Sequence, residues 1–308
     1  MAFRQVNLTD CNMTAVEAVE DRAPSILPAD KKWKLVWNDE FDGTALDESK
    51  WNYRLNFWGY RSPAFTTEGV EVEGGTLKIN LLRNGDDFCS AHLQTGGLTF
   101  DNPRDETSKN FWSFGQKDPA KFMHKYGYYE IRCRLPKCDG WHAAFWLQAP
   151  GIGSHPDPEV AGVECDIMEN YRQYKYGTMI CGNGWGGYGA ESEWAGHFEF
   201  PLEETEDGWH RYAVDWTPEG YTFYADGKLV GRQMAPECPV SRVEQFILVS
   251  TECHGYNRVF KKSGEAGEAT DKGCCAGNPV PELFEATPPI TSRSITSEYL
   301  MKYKIKGV

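Results

Sequence analysis

The chain has 308 residues, 40% hydrophobic and 25% charged, with a mean hydropathy of −0.57. Its 32 Lys and Arg stand against 45 Asp and Glu, leaving a net charge of −13 and a pI near 5.1. Such a surface repels a phosphate backbone, which argues against a nucleic-acid partner. No apolar run approaches the roughly 20 residues of a membrane-spanning helix, which argues against a membrane partner.

In chain order, residues 1–32 read as an N-terminal arm, mostly polar, with a short helix expected around Thr14 to Glu20 and prolines at Pro24 and Pro28. The first ten residues lack the charged-then-apolar pattern of a secretory signal, so a cytoplasmic location is expected. From Trp33 onward short segments alternate with period two. Leu77, Ile79 and Leu81 follow a Gly74-Gly75 turn, and Tyr129, Ile131, Cys133 and Leu135 alternate with Glu130, Arg132 and Arg134. Tyr221, Phe223 and Ala225 lead into Asp226-Gly227, a hairpin signal, and Leu229 follows on the return. Ile247, Leu248 and Val249 form an apolar run suited to a strand buried on both faces. Residues 101–121 read as a surface loop, and residues 261–290 as a long irregular insert. Many short strands separated by turns predict an all-β fold, an antiparallel sandwich forming one domain over residues 33–308. A monomer is expected.

The 10 cysteines include Cys133-x4-Cys138 and the adjacent Cys274-Cys275, spacings that raise metal ligation. No second CxxC or HxxxH completes a four-ligand set, so buried free thiols in a reduced protein are the better reading.

Chemistry concentrates in Gly162-Val-Glu-Cys-Asp-Ile-Met-Glu-Asn170. On a regular strand Glu164 and Asp166 share a face, while Glu169 points the other way. One extra residue at Ile167-Met168, a β-bulge, returns Glu169 to the shared face. Like charges crowded on one face cost stability, and such clusters are kept mainly where shifted pKa values are useful. Two glutamates so disposed suit the roughly 5–5.5 Å spacing of a retaining glycosidase pair. A metal-binding or solvated acidic edge strand is the alternative for an isolated ExDxxE pattern.

The pattern is not isolated. Lys137-Cys-Asp-Gly-Trp-His-Ala-Ala-Phe-Trp-Leu147 precedes the acid strand, Trp37-Asn-Asp-Glu-Phe-Asp-Gly43 lies near the start, and Trp209-His-Arg-Tyr-Ala-Val-Asp-Trp-Thr-Pro218 lies later. Together these segments resemble glycoside hydrolase family 16, in its laminarinase-like branch with the bulged motif. The resemblance implies a β-jelly roll with a carbohydrate-binding cleft on its concave sheet, and a β-linked glycan as substrate. It implies Glu164 as nucleophile, Asp166 as its helper and Glu169 as acid/base, with Trp141 and Trp146 as cleft tryptophans. No cofactor is required. The family's common Ca²⁺ site resembles a pairing of Glu40 with Glu298. Trp185, in a glycine-rich loop, is a candidate for the opposite end of the cleft, and Arg61 is a candidate for an acidic sugar. Tryptophans also pack in cores, so each aromatic has that competing reading.

The sequence departs from the laminarinase pattern in three places. His142 stands where relatives often have proline, and the segment Tyr176–Gly182 lacks a histidine that they often carry. Ser250-Thr-Glu-Cys-His254 looks more like members acting on other polysaccharides, with Glu252 or His254 lining the cleft. The expected activity is a retaining endo-β-glycosidase acting on β-1,3-glucan. The rivals are a β-galactan hydrolase of the agarase or porphyranase type, a transglycosylase, and a non-catalytic glycan-binding protein on the same fold.

Overall fold

The computed structural model describes residues 3–57, 60–61, 64–84, 87–97, 119–135, 141–155, 157–171, 178–187, 192–253 and 283–295. Among them, 9 strands form one sheet, in the order Phe3–Gln5, His197–Pro201, Thr178–Trp185, Glu164–Tyr171, Trp141–Gln148, Phe246–Cys253, His92–Gln94 and Asn52–Tyr53, with Glu193–Trp194 paired beside Thr178–Trp185. A second sheet of 8 strands runs Lys228–Met234, Gly220–Ala225, His210–Thr217, Gly127–Arg134, Leu283–Ile295, Thr76–Asn80 and Val70–Glu73, with Trp33–Asp39 also paired to Leu283–Ile295. Neighbours are antiparallel throughout both sheets, except that Phe3–Gln5 runs parallel to His197–Pro201. The fold is an antiparallel β-sandwich of the jelly-roll type.

Period-two alternation explains how the sheets meet. Tyr129, Ile131 and Cys133 of the second sheet are fully buried against Phe145, Leu147 and Cys165 of the first, in one core cluster. Leu77, Ile79, Val214, Phe223, Ile247 and Val249 join the same cluster. Leu248 points the opposite way and is also fully buried, in a smaller cluster with Ala144, Trp146 and Phe246 that Ala120 and Met123 cover. The expected hairpin at Asp226-Gly227 is present. Ala225 pairs with Lys228, and the two loop residues have φ of 48° and 74°, the left-handed geometry that a tight hairpin needs.

Two expectations are corrected. The segment around Thr14 is not helical: Met13–Val16 pairs with Ser25–Pro28 as a hairpin. Its Leu27 is fully buried with Tyr128, Ala213 and Tyr224 on the outer side of the second sheet. Ile26 N–H donates to Glu130, and the Tyr128 hydroxyl donates to the Ile26 carbonyl. Tertiary burial thus overrides the local helical pattern.

The stretch 261–290 is not irregular at its C-terminal end, because Leu283–Ile295 is a long strand inside the second sheet. Pro288 and Pro289 read as strand breakers. They fall where the ladder is interrupted: the register to Gly127–Arg134 shifts between Glu130 and Arg132. On the other side the partner changes from Thr76–Asn80 to Trp33–Asp39. Missing N–H groups cost little at such a break. Residues 98–118 and 254–282 lie outside the described residues.

Candidate active site

The acid strand is entered through Gly162, which has φ of 85°. A Cβ at this position would lie 2.2 Å from Ala149 Cβ, so only glycine lets the chain pass from the short helix Pro158–Ala161 into Glu164–Tyr171. The strand then lies between two neighbours. Gln148, Glu164 and Gly184 form one row across the sheet, Trp146, Asp166 and Gly182 the next, and Ala144, Glu169 and Ile180 a third.

The ladder skips between these rows. Phe145 pairs with Met168 but Trp146 with Asp166, which leaves Ile167 as the extra residue. On the other side Asp166 pairs with Gly182 and Glu169 with Ile180, again one residue too many on the acid strand. Ile167 and Met168 both enter the core cluster, and the bulge turns Glu169 to the face of Glu164 and Asp166.

All three acids are enclosed, at 9%, 3% and 7% exposure for Glu164, Asp166 and Glu169. Two histidines flank Glu169. His142 Nε2 lies 3.1 Å from its Oε1, and His197 Nε2 lies 3.8 Å from its Oε2. The same His197 nitrogen is 3.5 Å from Asp166 Oδ2, too far and too poorly aimed to count as a hydrogen bond. Gly182 makes this approach possible, because a Cβ there would meet His197 Cδ2 at 3.2 Å.

Burial pushes the Glu164 carboxyl well above the usual carboxylate range, and the charges of Asp166 and Glu169 add to this against the opposing pull of Arg54 and His142. Burial and then Glu169 push Asp166 the same way, opposed by His142. Burial lowers the His197 imidazole, with Glu169 opposing, and lowers His92 well below its ordinary value, aided by Arg54 and His142. The site is built to hold a carboxyl proton at a pH where free carboxylic acids have lost theirs.

The flanking walls are aromatic and cationic. Trp146 lies beside Asp166 on the same face, with its Nε1–H donated to Ser250 Oγ at 3.2 Å. The Arg54 guanidinium stands 5.3 Å above its ring and the His92 imidazole 5.8 Å away. Trp146 is nearly buried, so it forms floor rather than an open platform. On the other side Trp194 occupies the space over Gly184, where a Cβ would come within 2.5 Å of its Cε3, and its ring is 4.9 Å from that of His197. Trp194 is the half-buried flat surface next to Glu164.

Several expected site residues fall elsewhere. Trp185 packs against the core cluster rather than the cleft, because it sits one residue out of phase with Gly184 and Gly182, which share the acid face. Trp141, Arg61 and Glu252 lie in described backbone, Glu252 opposite His142 and Arg61 opposite Asn56, but their side chains are outside the described residues. His254 and Glu298 lie wholly outside them. The Glu40 carboxylate accepts from Asn38 Nδ2 at 2.8 Å and faces the Arg22 guanidinium at 3.9 Å. Its Oε2 is buried and has no hydrogen-bond partner among the described residues, while Glu298, the other acid of the expected Ca²⁺ pairing, lies outside them.

Residues 78–240, more than half of the chain, match the family model Glycosyl hydrolases family 16. The chain belongs to this family. As a member it is a glycoside hydrolase. Glucan endo-1,3-beta-glucosidase A1 of Niallia circulans is 29% identical over 65% of the chain, which spans only 29% of that protein. Beta-glucanase of Rhodothermus marinus is 29% identical over 75% of the chain and 73% of its own length. The fold matches the laminarinase of Flavobacterium sp. UMI-01 with a TM-score of 0.61, at 21% identity over 85% of this chain and all (100%) of that one.

Sequence reasoning missed His197, Trp194 and Arg54 as neighbours of the acids, and His92 as a neighbour of Trp146. For Trp194 and His197 a signal existed: Gly182 and Gly184 alternate on the acid face, and paired glycines there make room for side chains from the next strands. Arg54 and His92 carried no such signal.

Proposed function

We propose that the protein is a retaining endo-β-glycosidase that cleaves internal β-1,3 links of a glucan. The observation that carries this reading is the bulged strand, which sets Glu164, Asp166 and Glu169 on one enclosed face. In the proposed reaction Glu164 attacks the anomeric carbon while Glu169 gives a proton to the departing glycosidic oxygen. The covalent glycosyl-enzyme is then hydrolysed by water, from which Glu169 takes a proton. Asp166 tunes the charge of Glu164, and His142 orients Glu169 through its Oε1. Trp194 offers an indole face for a sugar ring beside Glu164. The double displacement requires no cofactor. The glucanase names of the relatives support glucan over galactan.

Digestion of a β-1,3-glucan, a mixed-linkage β-glucan, agarose and porphyran, with products sized over time, tests the reading. Early release of mixed oligosaccharides from the β-1,3-glucan, with the β-anomer formed first in NMR spectra, is expected. Cleavage of the galactans alone would overturn the substrate, and first formation of the α-anomer would overturn the mechanism.

A further inference from the structure

We infer that Asp166, Glu169 and His197 form a binding site for one divalent transition-metal ion of the zinc type, set in the floor of the acid site. Their donor atoms all lie within 4.8 Å of one another. His197 Nε2 stands 3.5 Å from Asp166 Oδ2 and 3.8 Å from Glu169 Oε2. With zinc–ligand bonds of about 2.0–2.2 Å, tetrahedral donors are spaced about 3.3–3.6 Å apart. The two His197 separations are within a few tenths of an ångström of that range, and the two carboxylate oxygens, within 4.8 Å of each other, close on the ion by about 1 Å at most.

The second observation is the state of the donors. His197 is 1% exposed and Asp166 3%, yet both ring nitrogens of His197 and the Asp166 Oδ2 lack a hydrogen-bond partner. Buried polar atoms are ordinarily satisfied, and an unpaired one costs about 1–3 kcal/mol. A cation held by Nε2 and Oδ2 relieves two of these three atoms at once and leaves only Nδ1 of His197. One imidazole and two carboxylates select zinc, cobalt or copper over calcium, which prefers oxygen throughout.

The site is also preorganised. Trp194 and Phe3 pack against the His197 ring, Gly182 leaves room for it, and His142 holds the other oxygen of Glu169. Three protein ligands leave the fourth position for water. An ion here occupies the lone pairs of Asp166 and Glu169, so metal binding and glycoside cleavage exclude one another. This consequence rests on the hydrolase reading; the binding does not.

The test uses the full chain after EDTA treatment and dialysis, titrated with CoCl2 by absorption and with ZnCl2 by calorimetry. One ion per chain is expected, with cobalt d–d bands and no thiolate charge-transfer band. His197→Gln and Asp166→Asn should each weaken binding at least tenfold, with circular dichroism unchanged in whichever variant is read. No binding to the wild type, a thiolate band, or wild-type affinity in a folded variant would overturn the site. ZnCl2 should stop glycan cleavage, and EDTA should restore it. Full turnover with the ion bound would overturn the exclusion, while a protein inactive on every glycan would still be decided by the binding arm.

Discussion

Asp166 is the most enclosed of the three acids, at 3% exposure, and burial followed by the charge of Glu169 raises its pKa. A raised carboxyl means that the folded chain binds more protons than the unfolded one, from the unfolded value near 3.9 up to the folded pKa. Its contribution to stability is therefore lost as pH rises through that window. Asp166→Asn removes the titration, and we expect it to stabilise the protein by about 0.5–2 kcal/mol at pH 7 while lowering turnover. Urea unfolding at pH 4 and pH 7 measures the difference, and an equal effect at both would exclude the linkage. The proposed nucleophile is tested separately. Glu164→Ala should abolish turnover, and azide should restore part of it with an inverted glycosyl azide as product; near-normal turnover without azide would remove Glu164 from the role. Glu169→Gln should spare the first step for activated aryl glycosides, slow natural glycans severely and remove the alkaline limb of the pH profile. Equal losses in the first step for both substrates would contradict the acid role. The three acids were legible because crowded carboxylates in an apolar strand are costly. Their histidine partners come from other strands: Gly182 and Gly184 signal room for a side chain such as that of His197, but no local pattern says which residue fills it.

The acid strand depends on two backbone devices, the bulge at Ile167 and the glycines around it. Gly162 tests one of them. Gly162→Ala meets both a φ of 85° and a methyl contact at 2.2 Å, so it should cost well over 1 kcal/mol in chemical denaturation, more than an ordinary glycine-to-alanine change. A cost below that would show that the turn relaxes easily. The bulge was legible because both face requirements could be read at once: acids outward, Ile167 and Met168 inward. The phase of Thr178–Trp185 was not. A glycine-rich strand specifies its register weakly, so the alternation of Gly182 and Gly184 did not by itself fix that Trp185 faces the core and leaves the site to Trp194.

At the scale of the molecule, both ends of the chain complete the sheets. Phe3–Gln5 extends the first sheet at its edge, and the hairpin after it covers the second through Leu27. Leu27→Ala should then destabilise the whole domain by about 2–5 kcal/mol in a single cooperative transition, read by calorimetry. A transition unchanged in midpoint would mean that the arm detaches without consequence. Leu283–Ile295 is inserted between Gly127–Arg134 and two partners from the first 80 residues, so closing the second sheet joins distant parts of the sequence. By itself the sequence determined the strands, the sandwich class, the hairpin at Asp226-Gly227 and the shared face of the three acids. Each of these follows from side-chain periodicity or turn stereochemistry, which act over a few residues. Only the tertiary structure decided that the arm is a hairpin, that a segment with two prolines is an inner strand, and which aromatics and histidines surround the acids. Those outcomes depend on burial against partners far away in the chain, and that burial outweighs the local preferences.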